Sequence, residues 1–294
     1  FLNNLFNLKF NWMFNINKKN ILITGATSGI GKTSAIQLAK MNANIFFIAR
    51  NQTKAEILCD EIKTISGKIP KYFIADLSSL EQIRKAAEDF KLLDIPLHVL
   101  LNNAGLINNT RKETIDGYEE IFAINHLAYF YLTNLLIKNL KSASSARIVN
   151  VSSGAHAFVK RFNFKDVHSK KRYKPFQVYG YSKLANILFT KKLSKILEED
   201  NITVNCLHPG VVGTEFGHNN GLFQRLIFSL ARPLMRSAEK GAATSVYLCS
   251  SPEVSNVTGK YFYDCKVAKT TKWAQSIEDA DKLWDLSLKL VKIE

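Results

Sequence analysis

Seven short apolar runs punctuate this chain, with room for a helix between each pair: 20–24, 44–49, 70–75, 98–102, 147–151, 202–208 and 260–263. Parallel strands need a long crossover, and strands buried on both faces read as near-continuous apolar stretches. Asn20-Ile21-Leu22-Ile23-Thr24 and Asn44-Ile45-Phe46-Phe47-Ile48-Ala49 are of that kind. The pattern predicts an α/β fold, a doubly wound parallel sheet of about seven strands with helices on both faces. With 294 residues, 46% of them apolar, the chain can fill the core of one such domain, placed at residues 19–294. Residues 1–18 hold only broken apolar stretches and read as an N-terminal extension, a linker or a truncated anchor, in a chain that starts at Phe1 rather than Met.

The first run leads into Gly25-Ala26-Thr27-Ser28-Gly29-Ile30-Gly31, and then into helix-favouring residues from Lys32 to Met41. Strand, glycine-rich turn and helix is the geometry that holds a phosphate against backbone N–H groups at a helix N-terminus. Glycine permits the tight turn and the close approach of a pyrophosphate. The spacing Gly-x-x-x-Gly-x-Gly departs from the Gly-x-Gly-x-x-Gly dinucleotide fingerprint. It also overlaps a second motif. Ala26-x4-Gly31-Lys32-Thr33 is one residue away from the phosphate loop of ATPases, and Tyr72-Phe73-Ile74-Ala75-Asp76 passes for a strand ending in a magnesium-binding Asp. The second run favours the dinucleotide reading, because it ends at Arg50, about twenty residues past the glycines, where such a fold meets the adenosine ribose. An acid there would bond a free 2′-hydroxyl, whereas an arginine suits a 2′-phosphate. A solvated strand-end charge is the competing account of Arg50.

Tyr179 and Lys183 lie four apart in Tyr179-Gly180-Tyr181-Ser182-Lys183, so a helix sets them on one face. An ammonium beside a phenol favours the phenolate. Moving a tyrosine from about 10 to neutrality takes roughly 4 kcal/mol. A lysine in a partly dry cleft, helped by a cationic cofactor ring, supplies energy of that order. The product is a general acid or base that works near pH 7. Tyrosine and lysine at this spacing are also a common surface arrangement. Tyr173 is followed four residues on by Gln177 and Tyr181 by Ala185, so among these three tyrosines only Tyr179 has the cation.

Together these motifs resemble the short-chain dehydrogenase/reductase family, from about Lys19 to the C-terminus. The family's glycine motif stands as Thr24-Gly25-Ala26-Thr27-Ser28-Gly29-Ile30-Gly31, and its adenine-side acid as Asp76 in Ala75-Asp76-Leu77-Ser78. Asn102-Asn103-Ala104-Gly105, Asn125, Ser153 and the Tyr179/Lys183 pair follow in the family's order, then Pro209-Gly210-Val211 with Thr214 beyond. The resemblance implies a Rossmann-type fold and a catalytic set of Asn125, Ser153, Tyr179 and Lys183. It implies cofactor contacts from Thr24, Gly25, Thr27, Ser28, Gly29, Ile30, Gly31, Arg50, Asp76, Leu77, Asn102, Ala104, Gly105, Tyr179, Lys183, Pro209, Gly210, Val211 and Thr214. Ser182 to Thr190, Leu207 to Gly210, Thr258 to Phe262 and Leu283 to Ser287 look like the retinol dehydrogenase group that prefers NADP(H) over NAD(H). The 25 residues between Ser153 and Tyr179, a longer spacing than is usual in the family, fit that group too. The implied reaction is hydride transfer between NADP(H) and a small apolar alcohol or carbonyl, retinol and retinal among them. By the same resemblance Asn125 holds a water that links Lys183 to solvent. Two rival classes stay in view: a nucleotide hydrolase built on Lys32 and Asp76, and a cofactor-binding scaffold without catalysis.

Cys59, Cys206, Cys249 and Cys265 are scattered, with no Cys-x-x-Cys and no paired histidines, which implies reduced thiols, no metal and an intracellular protein. The expected place is the cytoplasm or the cytoplasmic face of the endoplasmic reticulum. A balance of 40 basic to 25 acidic residues gives +15, yet no nucleic-acid-binding motif accompanies it. The cations gather at Lys160, Arg161, Lys165, Lys170, Lys171, Arg172 and Lys174 against a single Asp166, either as solvated charge or as a peripheral contact with anionic lipid headgroups. Residues about 212–237 include Leu222, Phe223, Leu226, Ile227 and Leu230 at helical spacing, and read as a lid over an apolar substrate or as simple packing on the domain. The long apolar stretches, Gly117 to Leu140 and the one carrying Tyr179, read as core-facing or subunit-interface helices.

Overall fold

The structure, a computed structural model, describes residues 14–212 and 236–293. The seven apolar runs become strands β1 (Asn20–Thr24), β2 (Asn44–Ala49), β3 (Lys71–Ile74), β4 (Val99–Asn102), β5 (Ala146–Val151), β6 (Ile202–His208) and β7 (Tyr261–Tyr263). They run parallel in the order β3-β2-β1-β4-β5-β6-β7, and the two-residue β8 (Lys266–Val267) adds an eighth strand antiparallel to β7. Ile21 pairs with Ile45 of β2 on one side and Val99 of β4 on the other. The order therefore reverses at β1, and the crevice beyond the carboxyl ends of β1 and β4 is where an open α/β sheet binds ligands.

Both faces of the sheet are covered, which is why its strands read as unbroken apolar runs. Leu22, Ile48, Leu100 and Ile148 pack under helices α3 (Leu80–Lys91), α4 (Ala128–Leu135), α6 (Pro175–Ile196) and α8 (Ile277–Val291). Ile21, Ile23, Phe47, Leu101 and Val149, one position along, pack under α1 (Gly29–Lys40), α2 (Gln52–Ser66) and α7 (Ala238–Ser250). The period-two geometry of a strand divides its side chains between the layers. Phe14 and Ile16, inside the segment read as an extension, belong to the second layer, and the Arg147 guanidinium lies 3.8 Å from the Phe14 ring. All four cysteines are free, and three of them are buried.

Serine and asparagine start most of these helices. Asn51, Ser79, Ser237 and Ser276 each accept the N–H three residues on, which satisfies one of the orphan donors of the first turn. Helix α1 is different: its N-cap Ser28 makes no side-chain cap bond, and no acid lies in its first turn.

The helix expected over Gly117 to Leu140 is shorter and broken. Gly117, at φ +82°, turns the chain, and the Glu119 carboxylate accepts the N–H groups of Ile121 and Phe122 to start a turn at Glu120–Phe122. A π-helical turn follows at Ala123–Leu127, then α4, and Leu136 separates α4 from α5 (Ile137–Lys141). Apolar periodicity is blind to a single inserted residue of this kind, although π turns gather at functional sites.

Gly180 lets the 3₁₀ turn Gly154–Phe158 lie directly against α6: a Cβ there would come within 2.9 Å of both Ala155 O and Val159 Cγ1. Gly180→Ala should overpack this contact and destabilise the fold by about 1–3 kcal/mol. Urea unfolding of the variant, read as a lower midpoint at unchanged slope, checks it; unchanged stability would mean that the turn shifts freely.

Candidate active site

The glycine loop between β1 and α1 is locked onto the loop after β4. Thr24 Oγ1 accepts the N–H groups of Asn103 and Ala104 at 2.9 and 3.0 Å, and Asn103 Nδ2 donates to Thr24 O and Gly25 O at 3.0 and 3.1 Å. Gly25 and Gly29 take left-handed φ angles of +66° and +51°. A Cβ on Gly31 would overlap Gly25 O and Asn103 Nδ2, so this turn accepts no side chain there. The N–H groups at the start of α1, which no side chain caps, thus face the crevice with the positive end of the helix dipole. Such a cradle fits the pyrophosphate of a dinucleotide.

The rest of the expected cofactor set lies along the same edge, with exceptions. Arg50 is exposed just past the carboxyl end of β2. Asp76 follows β3, its carboxylate fixed by the Ser78 N–H at 2.9 Å, with Leu77 beside it. Gly105 approaches Lys183 closely, since a Cβ there would meet Asn125 Oδ1 at 3.3 Å and Lys183 Nζ at 3.4 Å. Pro209, Gly210 and Val211 follow β6, with Gly210 at φ +86°. The side chain of Asn102 is turned away into the core, donating to Thr133 Oγ1 and Asn150 Oδ1. Lys32 forms an ion pair with Glu61 on α2 at 2.6 Å and so does not reach over the loop as a phosphate-loop lysine would. Thr214 and residues 213–235 of the expected lid lie outside the described residues; the flanking Val212 and Arg236 pair with one another, and Arg236 N–H donates to Val211 O at 2.8 Å.

Ser153, Tyr179 and Lys183 converge where β5 ends against α6. The Ser153 hydroxyl hydrogen-bonds Tyr179 and also accepts the Ala155 N–H at 3.1 Å. Lys183 Nζ lies 5.6 Å from the centre of the Tyr179 ring and donates to Val151 O at 3.0 Å. Ser152 Oγ donates back to Lys183 O at 2.7 Å, which ties β5 to α6 from both sides. Tyr181, two positions along, packs on Phe162 and accepts from Gln177, away from this group. The register expected from the spacing places Tyr179, and not Tyr181, beside the lysine.

The protein groups alone leave the pair less polarised than its spacing suggested. Burial pushes the Tyr179 phenol up to about 12, against which the Ser153 hydrogen bond acts, and burial pulls the Lys183 ammonium down to about 7. A charge in a dry site is costly for either partner, and desolvation is the largest cause of both shifts. Bringing the tyrosine to neutral pH therefore needs further positive charge at this point.

Asn125 lies in the π turn. Its amide spans the backbone of Leu106, accepting the Leu106 N–H at 2.8 Å and donating to Leu106 O at 3.0 Å, with a second donation to Ser182 Oγ. Three residues that spacing did not single out complete the frame. Asn186 Nδ2 donates to Asn125 O at 2.9 Å, Tyr129 OH donates to Ala104 O at 2.7 Å, and Asn103 carries the glycine loop. Asn186 lies one helical turn beyond Lys183, and Asn103 sits within the Asn102–Gly105 motif, so both were open to a search for polar residues on buried helix faces and loops.

Fold and site together define an oxidoreductase of the nicotinamide-dependent α/β type. A profile of the short chain dehydrogenase family matches residues 19–224, and the chain belongs to that short-chain dehydrogenase/reductase family, whose members use NAD(P)(H). It is 38% identical to retinol dehydrogenase 12 of Mus musculus over 278 residues, 94% of this chain and 87% of that protein. The identity is also 38% to retinol dehydrogenase 14 of Homo sapiens over 92% of this chain and 85% of that one. Short-chain dehydrogenase TIC 32 B, chloroplastic, of Brassica napus matches at 38% over 92% and 88% of the two chains. Among solved structures, a protein from Mycobacterium paratuberculosis superposes with a TM-score of 0.77 at 28% identity, over 96% of both chains. A short chain dehydrogenase from Shigella flexneri complexed with NADP shares the fold at a TM-score of 0.69 and 22% identity, over 86% of this chain and 100% of that one.

The buried Lys183 should leave a signature in stability. Its folded-state value, about 7, lies below the ordinary 10.5, so between those limits the unfolded chain binds the extra proton and unfolding free energy rises with pH. The stability of the wild type relative to Lys183→Met should therefore climb from about pH 7 to about 10.5 and be lowest below 7. Denaturant unfolding at several pH values measures it, and a flat difference would show that the amine keeps a solvated or paired charge.

Proposed function

We propose that this protein is an NADP(H)-dependent oxidoreductase that interconverts an apolar alcohol and its aldehyde or ketone, with retinol and retinal as the leading pair. The observation that carries the reading is the Ser153–Tyr179–Lys183 group on the same carboxyl edge of the sheet as the uncapped N-terminus of α1. Ser153 holds the substrate oxygen by hydrogen bond beside the phenol. Tyr179 gives that oxygen a proton in the reductive direction and takes it back in the oxidative one. Lys183, held by Val151 O, faces Tyr179 and favours its ionised form. The nicotinamide ring supplies or accepts the hydride when the cofactor is bound and, in its oxidised form, adds positive charge. Arg50 is assigned to the 2′-phosphate, and Asn125 holds Leu106 in place beside Gly105.

An apolar substrate is supported by Phe158 and Phe176, both exposed, their rings 5.4 Å apart, with Phe176 6.5 Å from Tyr179. Large exposed aromatics grouped at one place mark a surface that receives an apolar ligand. The names of the retinol dehydrogenase relatives support the choice of alcohol. No helix among the described residues is long and apolar enough to cross a membrane. The free, mostly buried thiols support an intracellular setting, in the cytoplasm or on the cytoplasmic face of the endoplasmic reticulum.

NADPH oxidation against retinal, medium-chain aldehydes and steroid ketones tests this reading. Tyr179→Phe should lower kcat by about 10²–10⁴-fold while NADPH still binds, and Tyr181→Phe should be mild. A wild type that binds NADPH but turns over no carbonyl would be a nucleotide-binding scaffold instead. Arg50→Ala should weaken NADPH binding about tenfold to a hundredfold with little change for NADH, as expected for one charge-assisted contact. Equal losses for both cofactors would remove Arg50 from the phosphate.

A further inference from the structure

Apart from the hydride site, a cleft of about 280 Å³ opens between the loop that follows β5 and the outer side of α6. Lys165, Lys171 and Arg172 line it, together with Gln177 and Tyr181 of α6. Tyr181 stands two residues from Tyr179, roughly 200° around the helix, so the cleft and the catalytic tyrosine use different sides of α6.

The cleft is cationic and unbalanced. Its one carboxylate, Asp166, is already occupied, accepting the N–H groups of Lys170 and Lys171 at 2.8 and 3.0 Å. Among the described residues Lys165, Lys171 and Arg172 make no ion pair, although Lys32, Arg84, Arg111, Arg161, Lys192 and Lys282 all do. The first turn of α6 contains no acid and its N-cap Lys174 makes no side-chain cap bond, so the helix adds its positive end to the same place.

The wall is also held firmly. Arg161 bonds the buried Asp279 of α8 at 2.6 to 3.0 Å, Arg111 donates to His168 O at 2.9 Å, and Tyr173 OH donates to Asn108 O at 3.0 Å. Ser169, buried in the cleft wall, keeps a left-handed φ of +48°, a strain that persists only where the surroundings enforce it. Solvated surface charge needs neither the strain nor the anchoring. Beneath the cleft, Phe122, Phe162 and Val167 close the floor around a space of only about 10 Å³, which admits no acyl chain.

We propose that this cleft is a binding site for a phosphate-class dianion, presented by a small phosphorylated molecule or by a lipid headgroup. Lys171 and Arg172 take the oxygens, and Asp166 presets the loop that carries them.

Calorimetric titration of the full chain with inorganic phosphate, and co-sedimentation with phosphatidylcholine vesicles with and without phosphatidic acid, test the site. The double variant Lys171→Gln/Arg172→Gln should weaken binding at least about tenfold. Lys266→Gln/Lys269→Gln, which removes the same charge elsewhere, should leave it unchanged, with circular dichroism confirming that both variants fold. Phosphate binding lost only in the first double variant supports the site with a soluble ligand. Binding to phosphatidic acid vesicles alone, lost in the same variant, supports it with a headgroup. The proposal is overturned if neither probe binds, or if both double variants lose binding equally. It is equally overturned if Arg50→Ala abolishes phosphate binding while Lys171→Gln/Arg172→Gln keeps it.

Discussion

A chain of buried hydrogen bonds runs through the middle of this molecule, and the site hangs from it. Asn102 of β4 donates to Asn150 of β5, Asn150 to Thr190 of α6, Thr190 to Asn186 O, and Asn186 to Asn125 O in the π turn, all within 3.0 Å. Each of these residues is fully buried. Buried amides and hydroxyls of this kind are costly unless paired, so once paired they allow few alternative arrangements. Strands β4 and β5, the helix with Tyr179 and Lys183, and the turn with Asn125 are thereby placed relative to one another with little freedom.

The apolar layers contribute most of the folding energy, and the polar chain adds registration between the elements that carry the site. A sheet buried on both faces leaves its carboxyl edge as the natural place for polar groups to meet, and here that edge carries the Thr24–Asn103 lock, the Ser153–Tyr179 contact and the end of β5 that holds Lys183. Lys183 illustrates the tension. An ammonium is buried with a carbonyl as its hydrogen-bond acceptor, and its proton is loosened to about 7 as a result. The same dryness pushes Tyr179 up to about 12, so both groups sit far from their solution behaviour and respond strongly to any charge placed beside them.

The long connection between Ser153 and Tyr179 has two roles. Its first part, Gly154–Phe158, packs on Gly180 and positions the serine. The remainder, anchored through Arg161, His168 and Tyr173, builds a separate cationic wall on the far side of the same helix. Tyr173 joins the wall to the segment after Gly105, so the outer cleft and Leu106 rest on connected backbone.

Much was legible in the residues alone. Apolar runs with helix-length gaps specify a parallel sheet because strands buried on both faces admit no polar alternation, and all seven runs became strands. Spacing on a helix distinguished Tyr179 from Tyr181, because a 3.6-residue period leaves little choice of face. The glycine loop carried two readings until tertiary contacts separated them, with Lys32 drawn off to Glu61 and Asn103 bonded across to Thr24 and Gly25. The π turn at Asn125, the inward turn of Asn102, the frame role of Asn186 and the raised Tyr179 depend on which groups are buried together. Local sequence encodes period and propensity. Burial and pairing between residues far apart in the chain belong to the folded structure, and they decide the direction of a pKa and the orientation of an amide.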